Sequence, residues 1–178
     1  MLFQPATDTN LYQEQNSVLF ILLGASNLAR SFYGLKSCVT RCLFPRPVNF
    51  IHAMGPGRGY ISRGGIFNAT YPSIIDCGIL ETIHKIKQPN QRMIALITDI
   101  GNDIMYGVPS HEIINGLQFI FNTLDAFEAN ILITLIPIDL KKDIGEVYFN
   151  ILRQVFFKNI FNTINSFRIF VSINCYKN

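Results

Sequence analysis

The chain has 178 residues and a net charge of +3, with 49% hydrophobic and 15% charged residues. That length suits one domain, and a charge content below the roughly 25% of an average globular protein calls for elements buried on both sides. With no Lys/Arg run longer than Lys141-Lys142, there is no electrostatic footprint for nucleic acid.

Residues 1–16 are polar and without period, and read as a flexible N-terminal arm ahead of a single α/β domain over 17–178. Ser17 to Leu23 is a continuous apolar run, the pattern of a strand buried on both faces. From Leu28 the apolar residues Leu28, Phe32, Leu35, Val39 and Cys42 recur at helical spacing, and the helix should stop before Pro45. Val48 to Met54 is a second strand, followed by the loop "GPGRGYISRGG". Pro72 suits the first position of a helix, with Ile75, Ile79, Ile83 and Ile86 on one face.

Met93 to Thr98 is a third strand running into "DIGND". Ser110 is expected to cap a helix whose inward stripe is Ile113, Leu117, Ile120, Leu124 and Phe127. Ile131 to Ile136 is a fourth strand ended by Pro137. Ile144, Tyr148, Ile151 and Val155 stripe another helix, and Arg168 to Ser172 is a candidate fifth strand. Strict β-α alternation with apolar strands implies a parallel sheet covered by helices on both faces.

The cysteines, Cys38, Cys42, Cys77 and Cys175, form neither a CxxC pair nor a zinc spacing, so neither metal nor cofactor is expected. Cys38 and Cys42, four apart on a helix, read as packing residues. The N-terminus lacks a basic start leading into an apolar core, and no apolar stretch reaches the roughly 18 residues of a membrane span. The expectation is a reduced, cytoplasmic protein. Its oligomeric state is open.

Ligands of such sheets sit outside the carboxyl ends of the strands, near the point where strand order reverses. Three loops gather there: "GASN" after the first strand, "GPGRGY" after the second and "DIGND" after the third. A serine nucleophile needs a base, and donors for the oxyanion it creates. Ser26 sits at the first corner, where its own N–H begins a helix. A glycine of the second loop lets backbone approach a substrate, and Asn102 offers a side-chain amide. Taken singly, Ser26 and Asn27 read as helix caps, and Gly101-Asn102-Asp103 as a turn. Asp99 and Asp103 read as loop-capping carboxylates, and Arg58 as a residue that could bind an anionic substrate but is more often a solvated cation. Only the joint placement of Ser26, a glycine of the second loop and Asn102 favours function.

Gly-x-Ser at the first corner, the glycine loop and "GND" after the third strand resemble the SGNH (GDSL-type) hydrolases, over roughly residues 17 to 140. The strings "LLGASNLAR" and "ALITDIGNDIMYG" look like a bacterial branch of that family with an alanine in the corner. The resemblance implies a flavodoxin-like three-layer α/β/α sandwich with a parallel sheet, order 2-1-3-4-5. It implies cleavage of lipid, sugar or small acyl esters. Ser26 would be the nucleophile, with Gly59 (Gly57 its rival) and Asn102 completing the oxyanion hole. A nucleotide- or phosphate-binding protein is disfavoured, because "GASNLAR" has neither the Lys of a P-loop nor a GxGxxG.

The family's remaining element is an Asp-x-x-His, whose histidine deprotonates the serine. None of His52, His84 and His111 has an Asp three residues earlier. The expectation is therefore a truncated or frame-shifted product of low activity, or a catalytically dead pocket-binding protein of the same fold. His111, beside "GND", is the nearest candidate substitute base.

Overall fold

The computed structural model describes residues 16–66 and 69–134, together with Val147 and Ile151. Six consecutive apolar residues make β1 (Val18–Leu23), and every one of them is buried. The chain then runs through α1 (Ser26–Leu43), β2 (Val48–Ala53), α2 (Ile79–Ile86) and β3 (Arg92–Ile97). It continues through α3 (Gly101–Met105), α4 (Ser110–Asp125) and β4 (Asn130–Ile133). All pairings are parallel and the order is β2-β1-β3-β4. A strand flanked on both edges and covered on both faces has to be apolar throughout, which is why β1 lies in the middle.

Alternate residues of β1 feed two cores. Val18, Phe20 and Leu22 pack with Leu28 and the half-buried Phe32, Leu35 and Val39 of α1. Leu19, Ile21 and Leu23 pack with Ile79, Leu80 and Ile83 of α2 and with Ile113, Leu117, Ile120 and Leu124 of α4. Each such fully buried aliphatic contributes about 1.5–3 kcal/mol. Helices therefore lie on both faces of the sheet, as a three-layer α/β arrangement requires. The order reverses between β1's two neighbours, β2 and β3, so the crevice expected of such sheets opens at their carboxyl ends. No helix among the described residues is long and apolar enough to cross a membrane.

Several elements differ from the sequence expectation. Pro72 does not open a helix, and α2 begins only at Ile79, after Gly78 in the left-handed region (φ 78°). The amides of Ile74 and Ile75 instead donate to the carbonyls of Gly59 (3.0 Å) and Tyr60 (3.2 Å). That segment is docked on the second loop rather than coiled. Ser110 is the first residue of α4, and Pro109 occupies the cap, its carbonyl accepting from Glu112 and Ile113. Cys38 and Cys42 are exposed, and Leu43 takes the inward place expected of Cys42. The arm over 1–15, the residues of the fourth strand beyond Thr134 and the fifth strand at Arg168–Ser172 lie outside the described residues. Of the last helical stripe only Ile151 is described; it is helical and 50% exposed.

Candidate active-site rim

The loops after β1, β2 and β3 are tied to one another by three side chains. The first is Asp99, three residues before Asn102. Its Oδ2 accepts from the amides of Ala25 (3.0 Å), Asn27 (3.1 Å) and Leu28 (3.2 Å). Its Oδ1 accepts from Asn27 Nδ2 at 2.7 Å. A carboxylate at a helix N-terminus satisfies orphan amides and complements the positive end of the dipole. Asp99 itself has φ 61°, a conformation that Asp tolerates better than most residues.

The second is Asp103, which is 0% exposed. Its Oδ2 accepts from the Tyr60 amide at 2.6 Å, and its Oδ1 from those of Ile61 (3.1 Å) and Ser62 (2.9 Å). Burial pushes its pKa up, opposed by those same amide bonds. The third is Tyr60, also 0% exposed, whose hydroxyl lies between the carbonyls of Leu23 (2.8 Å) and Thr98 (2.7 Å) at the ends of β1 and β3. Full burial holds its pKa well above the ordinary value, so it stays a neutral phenol. Asn102 Nδ2 donates to the Arg58 carbonyl at 2.9 Å, joining the third loop directly to the second.

The amides form a pattern. Asp99 takes those of residues 25, 27 and 28, and Asp103 those of residues 60, 61 and 62. Among the described residues, the N–H of Ser26 between the first set and that of Gly59 beside the second donate to no protein group, and neither does that of Gly57. The Ser26 hydroxyl, half-buried, likewise has no partner among them. Gly59 is required for a steric reason: a Cβ there would meet Asp103 Oδ1 at 2.6 Å and the Ser62 carbonyl oxygen at 2.8 Å. Gly57 is required for its φ of 72°. Tyr106 Oη donates to the Gly57 carbonyl (2.6 Å) and accepts from Gly65 N–H (2.9 Å), pinning the outer part of the loop.

The capping roles expected of Asp99 and Asp103 describe what both residues do. Arg58 is only 8% exposed, which overturns the commoner of its two readings, the solvated cation. Tyr60 and Tyr106 were missed. Their signal in the sequence was an aromatic inside a glycine-rich loop and one just after "GND", positions where a large side chain has to find a packing partner. The histidines stand apart from one another. His52, in β2, packs edge-on against Phe32 with ring centres 5.3 Å apart. Burial and the nearby Arg58 charge lower its pKa. His84 leans on Phe127, and His111 is exposed beside Glu112 at 4.0 Å.

Comparison with family models, with curated proteins and with solved structures returned no match.

Proposed function

We propose that the chain is a serine ester hydrolase of the SGNH type, with the flavodoxin-like sheet completed by a fifth strand in the order 2-1-3-4-5. The observation that carries this reading is the amide accounting. Two carboxylates bind six neighbouring N–H groups and, among the described residues, leave those of Ser26, Gly59 and Gly57 without a protein acceptor, on loops that Asn102 and Tyr60 tie together. In this reading Ser26 Oγ attacks the ester carbonyl carbon as its proton passes to solvent water, and the carbonyl oxygen becomes an oxyanion. Collapse expels the alcohol to leave an acyl-serine that water then hydrolyses. Ser26 N–H, Gly59 N–H and the second hydrogen of Asn102 Nδ2 are the oxyanion's donors. One such donor is typically worth about 10²–10³ in turnover.

The sequence has no Asp-x-x-His to take the serine proton. A positioned general base contributes about 10²–10⁴ in rate. Hydrolysis of a short-chain nitrophenyl ester by this chain is therefore expected to be slow, with Asn102→Ala slowing it further. A second reading, a binding protein that keeps the pocket without the chemistry, is favoured by His52, packed against Phe32, and by His111, paired with Glu112. A nitrophenyl phosphonate probe decides between them. Slow labelling that disappears in Ser26→Ala supports the hydrolase; an unlabelled Ser26 after long incubation leaves the binding protein.

A further inference from the structure

Arg58 is an unbalanced cation in the second loop. It is 8% exposed, and its buried Nε has no hydrogen-bond partner among the described residues. No carboxylate among them pairs with its guanidinium. The guanidinium stands 5.9 Å from the centre of the Tyr71 ring, with Cys77 and His52 also within electrostatic reach. No Asp or Glu occurs anywhere between residues 17 and 75, while Arg30, Lys36, Arg41, Arg46, Arg58 and Arg63 do. Asp103, which reaches the same loop, gives both oxygens to amides.

A buried charge without a partner is costly, and proteins keep such groups paired or neutralised. Burial pulls the pKa of this guanidinium down, partly opposed by the neighbouring Cys77 and Tyr71. The Arg58 carbonyl is the atom that Asn102 Nδ2 holds, and the next residue is Gly59. The Arg58 backbone is thus part of the same short loop as the proposed oxyanion donors.

We propose that Arg58 is the specificity-determining residue of this site and binds an oxyanion, a carboxylate or a phosphate, carried by the substrate. An incoming oxyanion supplies both the charge and the acceptor the guanidinium lacks. A planar guanidinium held against an aromatic face is preorganised for such a partner, where a flexible ammonium is not. The substrate class is then an ester bearing an anionic group, rather than a neutral acyl ester or an uncharged lipid. The inference rests on the rim being the substrate site, but it needs no turnover.

Its test is calorimetric titration of the full chain with monoethyl succinate, monoethyl phosphate and neutral diethyl succinate. At least one anion is expected to bind about 10–100-fold more tightly than the neutral diester, as a charge-assisted contact implies. The two anions separate carboxylate from phosphate recognition. Arg58→Met should remove the preference, and Arg58→Lys, keeping charge but not the planar fork, should retain part of it. Equal binding of charged and neutral ligands, binding of neither anion, or a preference surviving in Arg58→Met overturns the proposal. The wild-type comparison stands whether or not the variants fold. In Ser26→Ala the preference is expected to persist. Anion binding with no phosphonate labelling therefore defeats the hydrolase reading alone, and labelling without anion preference defeats this one alone.

Discussion

Asp99 and Asp103 are four residues apart and perform one task in two settings. Each accepts from three backbone amides of a distant loop, across 71 to 74 residues for Asp99 and 41 to 43 for Asp103. Asp99 is half-buried at the start of an 18-residue helix, where solvent and the dipole both support its charge. Asp103 is fully buried, and the glycine loop it binds is not helical, so hydrogen bonds from three amides and the Ser62 side chain, with no helix dipole of that loop, oppose its desolvation. The difference teaches which half of the rim tolerates change: the serine corner has alternatives to its carboxylate, and the glycine loop has none.

Removing Asp103 is therefore expected to have the largest effect. Asp103→Ala leaves the amides of Tyr60, Ile61 and Ser62 without an acceptor in a buried loop, a loss of about 3–5 kcal/mol in chemical denaturation. Gly59→Ala attacks the same contact from the other side and should lose about 1–3 kcal/mol, since Asp103 or the Ser62 carbonyl must move. Near-wild-type stability in both variants would show that the glycine loop does not depend on this carboxylate.

The raised pKa of Asp103 gives the comparison a pH dependence. A carboxyl whose folded pKa lies above its unfolded value binds its proton more tightly in the native state. Stability then falls as pH rises from the ordinary carboxylate range through the folded pKa, and is level above it. Asp103→Asn cannot titrate and turns one donor toward the amides, so its own stability should be level across this window and lie furthest below wild type at the acid end. The wild-type advantage over Asp103→Asn should shrink across that window as pH rises. An advantage that grows with pH would mean that the amide bonds outweigh burial.

Asp99→Ala should cost less, about 0.5–2 kcal/mol, the range for losing a helix cap. Water can replace the carboxylate at the exposed Asn27 amide, but it does not hold the corner in one geometry. Labelling of Ser26 by the phosphonate should therefore slow even where the melt moves little. Asp99→Asn, which keeps an acceptor and tolerates φ 61°, should recover part of both.

The parts legible in the sequence were those set by periodicity. A six-residue apolar run cannot sit at a solvated edge, and β1 does not. The stripes of α1 and α4 placed their inward faces, and β-α alternation brought the three loops to one end of the sheet. What was not legible depended on partners far along the chain. The helix expected from Pro72 fails because the Ile74 and Ile75 amides find Gly59 and Tyr60, a pairing no local pattern announces. Arg58 reads as solvated wherever its loop is assumed open, and only the packed loop buries it. The three loops could be named from loop order, and Ser26, Gly59 (with Gly57 its rival) and Asn102 from the resemblance. Which amides remain free depended on how far two aspartate side chains reach.

The smallest expected effect concerns His111, the residue nearest "GND" in sequence and so the first substitute base to consider. It is 73% exposed at the side chain and stands 4.0 Å from Glu112, its neighbour on the first turn of α4. An exposed pair at that distance contributes little, because both groups stay hydrated and screened. Neither ring nitrogen is fixed by a buried acceptor, as a general base aimed at a serine would require. His111→Ala should therefore shift stability by no more than about 0.5 kcal/mol. Any slow nitrophenyl ester hydrolysis should continue at the wild-type rate and with the wild-type pH profile. A large drop in rate with stability unchanged, and with the loss of a titration near neutral pH, would make His111 the missing base. The α4 terminus would then join the rim as a fourth contributing segment.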